Sequence, residues 1–165
     1  MEKVTLTAAP LTAEAFAPYG DVIESVGEPI PINQGKGWRY LDLARIDVTA
    51  EGGHAGVSRV TCAPEALPVP LRLMERHPLG SQVFTPVDGQ RYLVVVAPAG
   101  DPPTVASLRA FIATGKQGVN YHRGTWHHPM IALDQRCDFL EVHRVGPGKN
   151  CDEVAIPAQV SVRLP

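Results

Sequence analysis

Turn residues cut this chain into short pieces. Sixteen prolines and 15 glycines are scattered along its 165 residues rather than gathered into a linker. Proline removes a backbone donor and clashes inside a helix, and glycine weakens helix and strand interiors alike. Long helices are therefore excluded over most of the sequence. What recurs instead is an apolar segment of roughly five to eight residues bounded by turn residues, the pattern of an all-β sandwich or barrel.

The segments expected as strands are 4–8, 21–24, 38–46, 56–62, 71–77, 82–86, 92–97, 118–121, 128–133 and 139–143. Two helices are expected. One covers 12–17 and stops at Pro18; the other covers 104–113, where Val105, Leu108, Phe111 and Ile112 form an apolar stripe after Pro102-Pro103. No internal repeat or low-complexity tract divides the chain, so residues 1–165 read as one domain.

Charge narrows the partners. A net charge of −2 with both signs interspersed, and no basic run, argues against nucleic acid and anionic membrane. The N-terminus lacks the apolar core of a signal peptide, and the apolar run 93–99 is too short to span a bilayer. Cys62, Cys137 and Cys151 are odd in number and show no CxxC spacing, which disfavours a disulfide framework and points to the cytoplasm. Cys62 and Cys137 sit in apolar strand patterns as packing residues; Cys151, in a polar turn, ranks low as a nucleophile.

Chemistry concentrates in two stretches, Glu75-Arg76-His77-Pro78-Leu79-Gly80-Ser81-Gln82 and Asn120-Tyr121-His122-Arg123-Gly124-Thr125-Trp126-His127-His128-Pro129, which hold four of the six histidines. Side chains alternate faces along a strand. Leu71, Leu73, Glu75 and His77 share one parity, so a carboxylate and an imidazole continue an apolar face. Burying a lone carboxylate costs several kcal/mol unless it is paired or metal-bound, so Glu75 needs a partner. In the second stretch His127 shares parity with Ile131 and Leu133, which points His127 inward and His128 toward the rim. The plainer reading makes Glu75 and His77 the solvated end of a strand and His127 a satisfied core residue. Two histidine-bearing turns in one chain favour a small-molecule site.

The first stretch resembles the first motif of the cupin superfamily, His-x-His-x(3–4)-Glu, with Glu75 and Gln82 in place of the first His and the Glu. His122-Arg123-Gly124-Thr125-Trp126-His127 resembles the second motif, Pro-x-Gly-x-x-His, with His122 for Pro and with Ile131 where a trailing Asn would stand. More specifically, Glu-x-His-Pro-x-Gly-Ser-Gln at 75–82, Asn-Tyr-x-x-Gly-x-Trp-His-His-Pro at 120–129, Asn33-x-Gly35 leading to Arg39-Tyr40, and Asn150-Cys151-Asp152-Glu153 look like the ureidoglycolate lyase family. The resemblance covers nearly the whole chain. It implies a mainly β, cupin-like double-stranded β-barrel of jelly-roll type with one or two short helices. It also implies a cytoplasmic homodimer, a divalent metal (Ni²⁺ by family habit) and cleavage of (S)-ureidoglycolate to glyoxylate and urea.

Residue roles follow as expectations. Glu75, His77, Gln82 and His127 would surround a metal ion or the reacting hydroxyl. His127 or Glu75 would act as general base, His77 beside them, and His128 would be the reserve acid. Arg39, next to Tyr40, would clamp the substrate carboxylate bidentately. Ser81, Asn120 and Tyr121 would bond the urea group, and Trp126 would wall the pocket. Other readings are another metal-dependent cupin enzyme, isomerase or oxygenase, and a non-catalytic module binding a small anion.

Overall fold

The strand Tyr92–Ala97 organises the molecule, and it is buried along its whole length. Tyr92, Val94 and Val96 point into one apolar core, and Leu93, Val95 and Ala97 into another. A strand covered on both faces has no polar positions to alternate with, which explains its continuous apolar sequence. This computed structural model describes residues 2–165.

Tyr92–Ala97 lies within a seven-stranded sheet. Arg109–Ala113 pairs with it on one side, with Ala9–Pro10 beyond. Trp126–His127 and Ile131–Ala132 share its other edge. Beyond Trp126–His127 come Leu73–Arg76 and then Asp152–Ala155. A second, five-stranded sheet runs in the order Gly20–Ile23, Gly118–Tyr121, Gln82–Pro86, Cys137–Val145, His54–Cys62. The two sheets face each other across the core containing Phe84, Tyr92, Phe111, Tyr121 and Phe139. They form a mainly β, two-sheet barrel of jelly-roll type. Outside the seven-stranded sheet, a three-stranded sheet (Val4–Thr7, Val160–Arg163, Val69–Pro70) covers its other face and closes the second core.

Among the described residues α-helix is confined to one turn, Ala13–Phe16. Thr12 Oγ1 caps it by accepting from Ala15 N at 3.1 Å. The turn plugs one end of the barrel with Phe16, which is fully buried against Tyr19, Phe111 and Tyr121.

The segment 104–113 is not a helix. It makes a single 3-10 turn, Val105–Ser107, and then the strand Arg109–Ala113. Ala110 enters one core while Phe111 and Ala113 enter the other, and the partly buried Ile112 packs with Ala110. Apolar residues on both faces of a strand imitate a helical stripe, and pairing with Tyr92–Ala97 decides the outcome. The expected strand 38–46 also shrinks, to Gly37–Arg39, which pairs only with Ile30–Ile32 in a hairpin.

Candidate active site

Barrel-facing parity brings one set of polar side chains to the mouth between the two sheets. Glu75 stands directly opposite His127 in the strand register, and His127 opposite Val96. His77 follows from the end of Leu73–Arg76. His127 Nε2 lies 3.4 Å from Glu75 Oε1, and His77 Nε2 lies 4.0 Å from the same oxygen. The two imidazole centroids are 5.1 Å apart. Tyr121 stacks on the His127 ring at 4.1 Å with an interplanar angle of 8°.

Backbone carbonyls set the protonation of both rings. His77 Nδ1 is 2.7 Å from Asn150 O, and His127 Nδ1 is 3.0 Å from Thr125 O. A carbonyl only accepts, so each Nδ1 carries the hydrogen. Each neutral ring therefore turns a lone pair at Nε2 toward Glu75. Neither Nε2 has a hydrogen-bond partner, although both are buried. Two lone pairs and a carboxylate converging without a proton between them repel one another, so the cluster requires a cation. That cation is either a proton taken up by an imidazole or a metal ion. The donor set suits a divalent metal: Glu75, His77 and His127 each offer a ligand atom, all within 4.8 Å of one another. The carbonyls that hold the Nδ1 atoms are the outer contacts that orient imidazole ligands at metal sites. Imidazole and carboxylate donors do not by themselves choose among nickel, zinc and manganese.

The electrostatics agree. The His127 imidazole beside Glu75 holds its carboxyl below the ordinary value against the opposing effect of burial. Burial, followed by the proximity of His127, holds His77 below the usual histidine range. His77 therefore stays neutral and keeps its Nε2 lone pair.

Beside this cluster lies a pocket of about 320 Å³ lined by His77, Ser81, Gln82, Glu141, His143, Arg144 and Asn150. Glu141 and His143 are not among the residues expected at the site from the sequence. Their signal is parity: Cys137 and Phe139 face the barrel core, so Glu141 and His143 continue that face toward its mouth.

The sequence profile of the family described as "Ureidoglycolate lyase" matches residues 3–163. The chain is 51% identical over 150 residues to a "Ureidoglycolate lyase" of Stutzerimonas stutzeri (strain A1501), covering 90% of this chain and 88% of that one. It is 51% identical over 154 residues to the same-named protein of Burkholderia mallei (strain NCTC 10229), covering 93% and 90%. This chain belongs to the ureidoglycolate lyase family. A dTDP sugar isomerase from Desulfovibrio desulfuricans G20 is a far more distant likeness, at 18% identity and TM-score 0.43 over 86% of this chain and 87% of its own.

Within this family member, several residues expected at the site face elsewhere. Asn120 is buried on the outer face of its sheet, donating from Nδ2 to Asp21 Oδ2 at 2.9 Å and to Arg45 O at 2.8 Å. Ser81 does line the pocket beside the cluster, but its Oγ accepts from Asp47 N at 2.8 Å and pins the loop around Asp47. Trp126 belongs to the core behind the seven-stranded sheet, and the Arg76 guanidinium lies 4.7 Å from its ring centroid. His128 also lies on the face opposite His127. It is buried rather than at the rim, and both its nitrogens are engaged: Nε2 accepts from Arg72 N at 3.3 Å and Nδ1 faces Pro129 O at 2.9 Å. Arg39 is exposed on the 30–39 hairpin with Tyr40 just beyond it, away from the cluster in sequence and in sheet. Gln82 alone of the expected urea- or metal-facing amides points into the barrel mouth, beside His77.

Proposed function

We propose that this protein cleaves (S)-ureidoglycolate to glyoxylate and urea, with the Glu75–His77–His127 cluster as its machinery. The observation that carries the reading is the pair of buried, unpartnered Nε2 atoms facing one carboxylate, in a chain of this family. The reaction removes the hydroxyl proton, forms the aldehyde carbonyl, breaks the carbon–nitrogen bond and protonates the departing nitrogen. It is proton-neutral overall, because the proton leaving oxygen is the one nitrogen requires. A single imidazole can therefore serve as base and then as acid.

His127 fits that role. Its Nε2 is free to accept the hydroxyl proton, Glu75 at 3.4 Å stabilises the imidazolium that results, and the Tyr121 ring lies flat against it. His77 remains neutral and holds the hydroxyl or an ion. Were a divalent metal bound, Glu75, His77 and His127 would hold it with Gln82 Oε1 nearby, and it would supply Lewis-acid stabilisation of the developing alkoxide. Chelation separates the alternatives. Full activity in protein shown metal-free by elemental analysis leaves the imidazoles as sole machinery. Loss of activity restored by one divalent ion assigns the cluster as ligands.

Product analysis tests the reaction. Purified protein incubated with (S)-ureidoglycolate is expected to release urea and no ammonia. Ammonia in place of urea would make it a hydrolase of the same substrate, and neither product would leave only a binding role.

The proposal includes a homodimer in the cytoplasm. Ile30, Trp38, Leu41 and Ile46 are exposed along one segment, with Trp38 64% accessible, an arrangement typical of a surface that another chain covers. The three cysteines are all unpaired, as suits a reducing compartment. Among the described residues no helix is long and apolar enough to cross a membrane.

A further inference from the structure

The strands Gln82–Pro86 and Cys137–Val145 lie side by side, with Phe84 opposite Glu141. Gln82 and Glu141 are therefore diagonal neighbours on the barrel-facing side. Gln82 Nε2 donates to Glu141 Oε2 at 2.6 Å. A carboxylate accepts, so this contact fixes which end of the amide is NH₂ and which is carbonyl. The carbonyl end, Gln82 Oε1, is left buried at the pocket beside His77, whose Nε2 would donate to it only with the ring protonated, so that beside a neutral His77 it has no partner. Glu141 Oε1 makes no hydrogen bond among the described residues; His143 Nε2 lies 4.0 Å from it and is already bonded to Ser58 Oγ at 2.8 Å. One wall of the pocket thus presents two acceptor oxygens with nothing donating to them.

We infer that Gln82 Oε1 and Glu141 Oε1 form the subsite for the N–H groups of the ureido end of the substrate. This rests on the reaction proposed above and deepens it. A ureido group is planar and rich in N–H donors, whereas a hydroxy-acid end offers mainly acceptors. Buried acceptors left unpaired are costly, so a wall of this kind discriminates strongly between ligands that donate and ligands that do not. The substrate then lies with its urea nitrogen toward Gln82 and Glu141 and its hydroxyl-bearing carbon toward Glu75, His77 and His127. This shifts urea recognition away from Asn120, whose side chain is turned to the outer face, and from Ser81, whose hydroxyl is already taken up by the Asp47 N–H. Glu141 acts twice: it holds the Gln82 amide in one orientation, and it adds a charge-assisted acceptor of its own.

The test uses ureidoacetate, which has the ureido and carboxylate groups but lacks the reacting hydroxyl, alongside glycolate, which lacks the ureido group. Binding of each to the full-length protein is measured by calorimetry for wild type, Glu141→Ala and Glu141→Gln, with thermal melts to establish that the variants are folded. Glu141→Ala is expected to weaken ureidoacetate by about tenfold or more, the scale of a lost hydrogen bond to a charged group. Glycolate affinity should stay within about twofold, and Glu141→Gln, which can still hold the Gln82 amide, should fall between. A parallel loss of both ligands would mean that Glu141 merely shapes the pocket, and no loss of ureidoacetate would mean that the wall does not read N–H groups; either overturns the inference. If Glu141→Ala does not fold, the same comparison on Glu141→Gln decides. Should wild type release no urea from ureidoglycolate, the proposed reaction falls, and the subsite still stands or falls on whether wild type prefers ureidoacetate to glycolate.

Discussion

At the scale of single residues, hydrogen-bond partners distinguish side chains that the sequence presents as equals. His127 and His128 are adjacent and both buried, but only His127 has an unengaged nitrogen. Replacing His127 or His77 by alanine should lower kcat by at least about two orders of magnitude, the scale typical of acid–base groups. Steady-state kinetics on folded variants check this, and near-normal turnover in both would sink the proposed machinery. His128→Ala should behave differently. It strands the Arg72 N–H, so a stability loss of about 1–3 kcal/mol is expected in denaturant melts, with turnover of the folded protein little changed. Alternation along 71–77 and 127–133 already set Glu75 and His127 apart in the sequence. The engagement of the Asn120 and Ser81 side chains away from the cluster was not legible there. It depends on partners at Asp21, Arg45 and Asp47 that are remote in the chain.

At the scale of elements, the legible strands were those whose pattern needs only their own residues. Gln82–Pro86, Tyr92–Ala97 and Gly118–Tyr121 lie within the expected segments to the residue. Arg109–Ala113 imitates a helix in the sequence because two cores share its side chains, and Asp152–Ala155 carries no strand signal because it is an edge strand with little apolar sequence. Loops are fixed by tertiary devices with no local signature. Arg144 is the chief one: it is 6% exposed, and its guanidinium donates to Ala50 O at 3.0 and 2.9 Å and to Pro147 O at 2.8 Å. Glycine is required around it, since a Cβ on Gly53 would come within 2.4 Å of Arg144 Nε and one on Gly80 within 2.7 Å of its Cβ. Arg144→Ala should cost about 2–4 kcal/mol in chemical unfolding by leaving those carbonyls unpaired. A second tie responds to pH. Burial raises the Asp21 carboxyl, but the bonds from Asn120, Arg45 N–H and His122 outweigh it and bring it below its ordinary value of 3.8. Because the folded value is the lower one, the stabilisation is complete above the unfolded value and is lost as pH falls through the folded one. The stability difference between wild type and Asp21→Asn should therefore be constant near neutrality and shrink in acid below about pH 4. A difference that grew on acidification would contradict the assignment.

At the scale of the whole molecule, one hairpin among the described residues makes no sheet pairing with the barrel. The Ile30–Ile32 and Gly37–Arg39 hairpin pairs only with itself, and a two-stranded ribbon is marginal alone in water. It nevertheless carries Trp38 and Ile30 exposed, with Leu41 and Ile46 following. Burying such side chains is worth about 1.5–3 kcal/mol each, which a monomer forgoes. A twofold dimer would recover that energy twice, because the same patch meets itself or its mate on both protomers. The sharpest consequence concerns Trp38→Glu together with Leu41→Glu. In a monomer these substitutions sit on the surface and should change stability by less than about 0.5 kcal/mol. In a dimer they place unpaired charges in an apolar contact. Sedimentation velocity should then show wild type at twice the mass of the variant, and the variant's melting temperature should fall and become independent of protein concentration. Equal masses for the two proteins would show that this hairpin does not join protomers.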